Sequence, residues 1–283
     1  MANTVPDEVP VDSYPPGLYV SGRRTDYIET LKHIGESERA QFHQRGYLAV
    51  RQAFSPDQVQ TAGQAMWDLI DGVNPDFKGL QAEAGKRAAF DHLASEARRD
   101  AVRKLWQFID YDRRLKDLSE DVSLIEVVSR LMDDTPVLFQ DMGLIKPPRI
   151  GREKPWHQDC AYFNYPVETP VVGVWIAIDP ATEENGCLHL IPGSHKEGPK
   201  PHFNLRDWQI CDTEVAVERD VTVPLEAGGC LIWHGLLHHG SPANASNQRR
   251  RALQYHYRPQ SAVALTKEDR MALYGGESLG ITC

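Results

Sequence analysis

The chain has few features that would place it outside a reducing compartment. Its five cysteines, Cys160, Cys187, Cys211, Cys230 and Cys283, are odd in number and form no C-x-x-C pair. Neither a disulfide framework nor a structural zinc knuckle is expected from them, and a cytoplasmic protein is. No run of 18 uncharged apolar residues exists, so no membrane-spanning helix and no membrane partner are expected. The first sixteen residues carry Asp7, Glu8 and Asp12, no basic residue and no apolar stretch, which does not read as a secretory signal. Excess positive charge is also lacking. Lys and Arg total 31 against 40 Asp and Glu, a net charge of -9 that argues against a nucleic-acid partner. There is no internal repeat and no low-complexity block.

What is present suits a globular protein: 41% hydrophobic and 25% charged residues in a 283-residue chain, long enough to bury a sizeable core as one domain. Residues 1–37 are Pro-rich and polar and read as an extended N-terminal arm. A short strand is expected at 47–50. Ser55-Pro56-Asp57 then reads as a helix start, with the helix running to about 71 on Val59, Ala62, Ala65, Met66 and Leu69. Further helices are expected at 91–108 and from about 119, the latter with Ser123 and Glu126 as a candidate capping box. After Pro136 short β-rich runs take over, at 137–145, 157–162, 171–178, 187–191, 221–225, 229–233 and 251–257. Pro147-Pro148, Glu184-Asn185-Gly186, Pro192-Gly193-Ser194 and Ala227-Gly228-Gly229 punctuate them as turns. The expected architecture is mainly β with flanking α: a helical layer at about 55–135 packed on a β core at about 136–258, within one domain at 38–283.

Two His-x-acid pairs occur. His195-Lys196-Glu197 follows Pro192-Gly193-Ser194 and reads as a solvated turn. His157-Gln158-Asp159 falls in an expected strand, where residues i and i+2 share a face. Two imidazoles and one carboxylate on one face of a metal suit an iron(II) oxygenase, because positions stay open for co-substrate and dioxygen. Candidates for the third ligand are His234, His238 and His239. His239 opens His-Gly-Ser, and Arg250 lies eleven residues on, a permanent cation able to grip a carboxylate bidentately. His234 and His238 read as packing groups, and Arg249-Arg250-Arg251 has an exposed basic rim as its bland reading.

With these residues in view, the chain resembles the phytanoyl-CoA dioxygenase family of iron(II)/2-oxoglutarate-dependent oxygenases. The resemblance is carried by LIKPPRIGREKPWHQDCAYF (144–163), VVGVWIAID (171–179), ENGCLHLIPGSH (184–195) and LIWHGLLHHGSPANASNQRRRALQYHY (231–257), with FHQRGYLAV (42–50) similar to the family's opening strand. It implies a double-stranded β-helix, a cupin-like jelly roll. It also implies His157, Asp159 and His239 as the catalytic iron ligands, and Arg250 as the residue that binds the distal carboxylate of 2-oxoglutarate. Gln158, Trp175 and Ser241 match positions lining that co-substrate, as do Met142 and Lys104 on fewer anchors. Asp159 stands where related halogenases carry a small residue, so hydroxylation or another oxidation is expected rather than chlorination.

The implied function is oxidation of a small organic molecule with Fe(II), 2-oxoglutarate and O2, releasing succinate and CO2. The residues leave two other readings open: a non-catalytic small-molecule-binding jelly roll, and a zinc hydrolase using the same His/Asp/His set. Loops at 72–90 and 196–216 are expected over the barrel mouth. The first contains Phe77, Lys78 and Lys86 and the second Lys200, His202, Arg206 and Trp208; the basic residues among them are candidates to meet an anionic substrate group or, equally, to be surface.

Overall fold

A computed structural model describes residues 14–283. The expected arm therefore lies outside the described residues over 1–13. From Tyr14 onward the chain runs along the small sheet. Tyr19 stacks on Trp156 at 5.6 Å, and Arg24 and Ile28 bridge to Thr222 and Val50.

Thirteen strands follow: β1 (Tyr47–Val50), β2 (Leu80–Ala82), β3 (Val102–Trp106), β4 (Pro136–Lys146), β5 (Lys154–His157), β6 (Val172–Ala177), β7 (Leu188–Leu190), β8 (His202–Asn204), β9 (Trp208–Ile210), β10 (Val221–Val223), β11 (Cys230–His234), β12 (His239–Ser241) and β13 (Arg250–Pro259). Seven form a large antiparallel sheet in the order β1-β11-β6-β13-β4-β3-β2. Four form a small one in the order β10-β7-β12-β5, and β8 pairs with β9. Leaving β8–β9 aside, the chain from β4 to β13 steps between the two sheets, crossing at every connection except β7 to β10. That is the expected double-stranded β-helix.

The large sheet is buried on both faces, and its period-two pattern shows why. Val174 and Ile176 of β6, Ile232 of β11 and Leu253, Tyr255 and Tyr257 of β13 pack under the helices. Their neighbours Trp175, Ala177, Leu231, Trp233 and Ala252 face the small sheet. The helical layer consists mainly of α1 (Glu36–Arg45), α2 (Pro56–Ile70) and, beyond the short α3 (Ser95–Arg99), α4 (Arg113–Ser119) and α5 (Val122–Met132). Ser55 caps α2 as expected, with Gln58 completing the capping box. A last helix, α6 (Lys267–Tyr274), follows the barrel. No helix among the described residues is long and apolar enough to cross a membrane.

Several local expectations are corrected. The helix expected at 91–108 breaks up into a 3-10 stretch to His92, α3 and strand β3. Pairing of β3 with β2 and β4 satisfies its backbone and buries Val102 and Leu105, a tertiary gain that overrides local helical periodicity. α5 is capped by Asp121, which accepts from the Ser123 and Leu124 amides, not by a Ser123–Glu126 box. The strand expected at 157–162 ends at His157, and Asp159–Tyr162 forms a 3-10 turn. The 196–216 segment contains the β8–β9 hairpin. Cys211 and Cys283 are joined by a disulfide, contrary to the expectation of none, while Cys160, Cys187 and Cys230 are buried free thiols. Residues 72 apart in sequence meet only because α6 brings the chain's end back to β9, a proximity no cysteine spacing reveals.

The helix-side face should dominate stability. Leu253→Ala, at a position with no exposure on a central strand, is expected to cost about 3 kcal/mol, read as a lower urea midpoint at unchanged slope. A loss below about 1 kcal/mol would show that this face is not close-packed.

Candidate metal centre and active site

The cluster forms where β5 and β12 pair across the small sheet. His157 and His239 are direct cross-strand partners. Their rings lie 4.2 Å apart between centroids. Asp159 reaches the same place through one extended residue, Gln158, before the 3-10 turn begins. His157 Nε2 is 3.4 Å from Asp159 Oδ1 and His239 Nε2 is 3.5 Å from Oδ2. One ligand atom from each of the three residues can be chosen so that all lie within 4.8 Å of one another, and all three residues are buried.

Backbone carbonyls set the imidazole tautomers. His157 Nδ1 donates to Pro155 O at 2.8 Å, and His239 Nδ1 donates to Leu237 O at 2.9 Å. Each ring therefore presents a bare Nε2 to the centre, as a metal-binding histidine requires. Burial, and then the charge of His239, pushes His157 down to about 3; burial likewise lowers His239. Burial works to raise Asp159, but the facing His239 and His256 and its hydrogen bonds overcome it and hold the carboxyl well below the usual range. Near neutral pH the centre is two neutral imidazoles and one carboxylate, the form that accepts a divalent metal without first losing a proton.

Two further residues hold Asp159. Trp233 Nε1 donates to Oδ2 at 2.9 Å, and His256 Nε2 lies 2.9 Å from the same oxygen. An ionised carboxylate only accepts, so His256 must donate from Nε2. Trp233 can lie here because its indole covers Gly173 on β6, where a Cβ would come within 2.5 Å of the ring. Sequence reasoning passed over both residues. The available signal was a polar residue on the inward face of a strand buried on both sides: Arg250, Gln254 and His256 alternate along β13 opposite Leu253, Tyr255 and Tyr257.

The centre opens on a chamber of about 130 Å³ that brings together His157, Asp159, His239, Arg250, Trp175, Ser241, Met142 and Lys104. Arg250 is buried beside Trp175, 5.2 Å from the ring. Its Nη1 donates to Gly186 O, while its Nε and the Trp175 Nε1 have no protein partner. Burial lowers the guanidinium to about 10, which still leaves it charged near neutrality. Lys146, also missed, is buried in the chamber wall and donates to the Ser241 and Pro242 carbonyls.

Other candidates fall elsewhere. Gln158 faces away from the chamber: its amide donates to Gly198 O and Leu236 O and accepts from the Lys200 amide, so its hydrogen bonds are spent on holding the following loop. His238, next to a ligand candidate, alternates to the opposite face of β12, and its amide binds Ser194. His195 and His234 pack on each other, remote from the triad. Arg249 and Arg251 pair with Asp100 and Asp179 and bracket Trp67. None of the seven loop candidates lines the chamber. Phe77 joins the helix-side core, His202 accepts from the Gln158 amide, and Arg206 is paired with Glu153 and Asp212.

Two outcomes follow from this geometry. Trp233→Phe keeps the packing over Gly173 but removes one donor to Asp159, and is expected to weaken divalent-metal binding about tenfold with little change in fold stability; unchanged affinity would remove the indole from the support of the site. In metal-free protein, His157, His202, His234 and His238 all titrate below the ordinary 6.5, at about 3, 3, 4 and 4. Unfolding lets them take up protons, so stability held above pH 6.5 is lost progressively as pH falls toward 3, and the urea midpoint should already be lower at pH 5.5 than at pH 7.5.

The family model for phytanoyl-CoA dioxygenase matches residues 42–252. The chain is 30% identical to phytanoyl-CoA dioxygenase 1 of Oryza sativa subsp. japonica over 241 residues, covering 76% of this chain and 85% of the relative. It is 31% identical to phytanoyl-CoA dioxygenase domain-containing protein 1 of Rattus norvegicus over 212 residues, covering 71% and 70%. Among solved structures, EvdO2 from Micromonospora carbonacea var. aurantiaca complexed with 2-oxoglutarate superposes with a TM-score of 0.68 at 24% identity, over 87% of this chain and 99% of that one. The epimerase SnoN in complex with Fe3+, alpha ketoglutarate and nogalamycin RO gives 0.62 at 19% identity, over 82% and 86%. Those two likenesses speak to the fold. The chain belongs to the phytanoyl-CoA dioxygenase family.

Proposed function

We propose that this protein is a mononuclear iron(II) oxygenase that uses 2-oxoglutarate and dioxygen to hydroxylate or otherwise oxidise a small organic molecule. The observation that carries the reading is the buried His157–Asp159–His239 cluster opening on a chamber that also holds an incompletely paired, buried guanidinium. Family membership and the groups bound in the structural neighbours support it. The domain at 38–283 carries the activity in this reading, with 1–37 as a lead-in.

The donor set fits the group it would hold. His157 and His239 offer bare Nε2 atoms, Asp159 supplies the charge, and the three leave the opposite face of a metal free for a chelating 2-oxo acid and dioxygen. Held there, iron(II) with 2-oxoglutarate would supply dioxygen activation coupled to oxidative decarboxylation of the 2-oxo acid to succinate and CO2. The chain's own residues bind, orient and exclude water. Arg250, whose Nε has no protein partner, would pair with the far carboxylate of 2-oxoglutarate, and the Ser241 hydroxyl would donate to the same group. Trp175 stacks the guanidinium in place, and Met142 with Leu144, Phe163 and Leu188 keeps the chamber apolar. Lys104 stands at the chamber mouth, where its amine can donate to a carboxylate. Gln158 acts only by holding the 198–200 loop.

Under anaerobic conditions, iron(II) followed by 2-oxoglutarate should produce a weak visible charge-transfer band that is lost in His157→Ala. Its absence from well-folded protein would favour the zinc or non-catalytic readings. Asp159→Ala is expected to abolish substrate oxidation; full activity would exclude the carboxylate from the ligand set. Arg250→Ala should raise the 2-oxoglutarate requirement about a hundredfold, because a buried carboxylate loses its charged partner; an unchanged requirement removes Arg250 from the site.

A further inference from the structure

The metal-side chamber adjoins a second cavity of about 510 Å³, within the range that holds drug-sized ligands. The two share a collar formed by Arg103, Lys104, Trp106, Arg152, Lys154 and Tyr162. Beyond the collar the wall adds Arg87, from the 3-10 stretch at 84–92, and Lys267 and Arg270 from α6. Seven basic side chains thus face two carboxylates, Glu83 and Asp207, in a chain whose net charge is -9.

These cations come from four separate stretches of chain. Glu83 lies 3.4 Å from Arg103, and Asp207 lies 2.8 Å from Lys154, so each carboxylate already has a partner. Arg270 donates to Ala161 O, and its Nε is buried without a protein partner. Among the described residues Arg87, Lys104 and Lys267 form no ion pair. Burial first, and then the neighbouring Lys154, push Lys104 down to about 7, so the standing charge of the wall comes mainly from its other cations. Gathering like charges around a concave wall costs energy in the empty protein, and an anion in the cavity relieves it.

We propose that the substrate carries an anionic group, a carboxylate or a phosphate, that sits in this outer cavity between Arg87, Lys267 and the collar while its apolar, reacting end passes the collar to the metal centre. The assignment of the ligand as substrate rests on the oxygenase reading above; the anion site itself does not. It also reassigns specificity. None of the basic residues of the 72–90 and 196–216 loops that were candidates from sequence lines this cavity, whereas Arg87 and, from α6, Lys267 and Arg270 do.

The test titrates phenyl phosphate, benzoate and the neutral benzyl alcohol into the full-length protein loaded anaerobically with iron(II) and saturating 2-oxoglutarate, so that the Arg250 site is filled. Calorimetry should show both anions binding, more weakly as salt rises, and benzyl alcohol binding less well than either. The double variant Arg87→Gln/Lys267→Gln should weaken anion binding about fivefold. Tighter binding of phenyl phosphate than benzoate assigns a phosphate; equal or tighter binding of benzoate assigns a carboxylate. Anions binding no better than benzyl alcohol, or unaffected by the double variant, would overturn the proposal. The charge-transfer band of the wild type separates the two readings: no band with anion binding intact sinks the oxygenase assignment alone, and a band without anion binding sinks the anion site alone.

Discussion

A single buried carboxylate organises this molecule. Asp159 is charged and almost wholly removed from water, a state that costs several kcal/mol unless its lone pairs are matched. Matching takes an indole N–H from β11 and an imidazole N–H from β13, while two ligand histidines from paired strands turn their bare Nε2 atoms to the same place. Each stands at the right place only if the register of both sheets is right. A one-residue slip of β12 against β5 would turn His239 away and bring His238 in. Gly173 adds a steric condition, since only a residue without a side chain lets Trp233 cross β6 to reach the carboxylate.

Stability for so polar an interior comes from the opposite face of the large sheet. Strand β13 shows the division in one element. Leu253, Tyr255 and Tyr257 pack beneath the helices, and both phenols donate to carbonyls of α4, Leu115 O and Ser119 O. Arg250, Gln254 and His256 point the other way, into the chamber or against Asp159. The helical layer is therefore coupled to the site: it holds flat the strands whose inner faces carry the chemistry.

The charge distribution follows the same division of labour. The histidines at the centre are kept neutral by burial, whereas the chamber and its mouth are lined by arginines and lysines. The outer cavity is closed on one side by α6, whose chain continues to the disulfide between Cys283 and Cys211 at the end of β9. β9 in turn packs against β5, the strand that carries His157, so the C-terminal segment and the metal centre share a framework.

The short apolar runs after Pro136 pointed to a sandwich or barrel, and the His-x-Asp pair and the arginine eleven residues beyond His239 stood out as candidates. The resemblance to the family narrowed these to the jelly roll, to His239 as third ligand and to Arg250 as the guanidinium, because its motifs are local runs of sequence. What stayed illegible depends on contacts between distant strands. β3 reads as helix until β2 and β4 satisfy its backbone. Gln158 sits between two ligands yet spends its amide on a loop forty residues away. Trp233 and His256 look like ordinary core residues until the sheets close and both reach one carboxylate oxygen. The sequence by itself determined which residue types are available and which face of each strand they occupy, because side-chain alternation is a property of the backbone. Only the tertiary structure decided which of them meet, because hydrogen bonds, burial and the gathering of cations at the chamber mouth arise between segments that the chain order keeps apart.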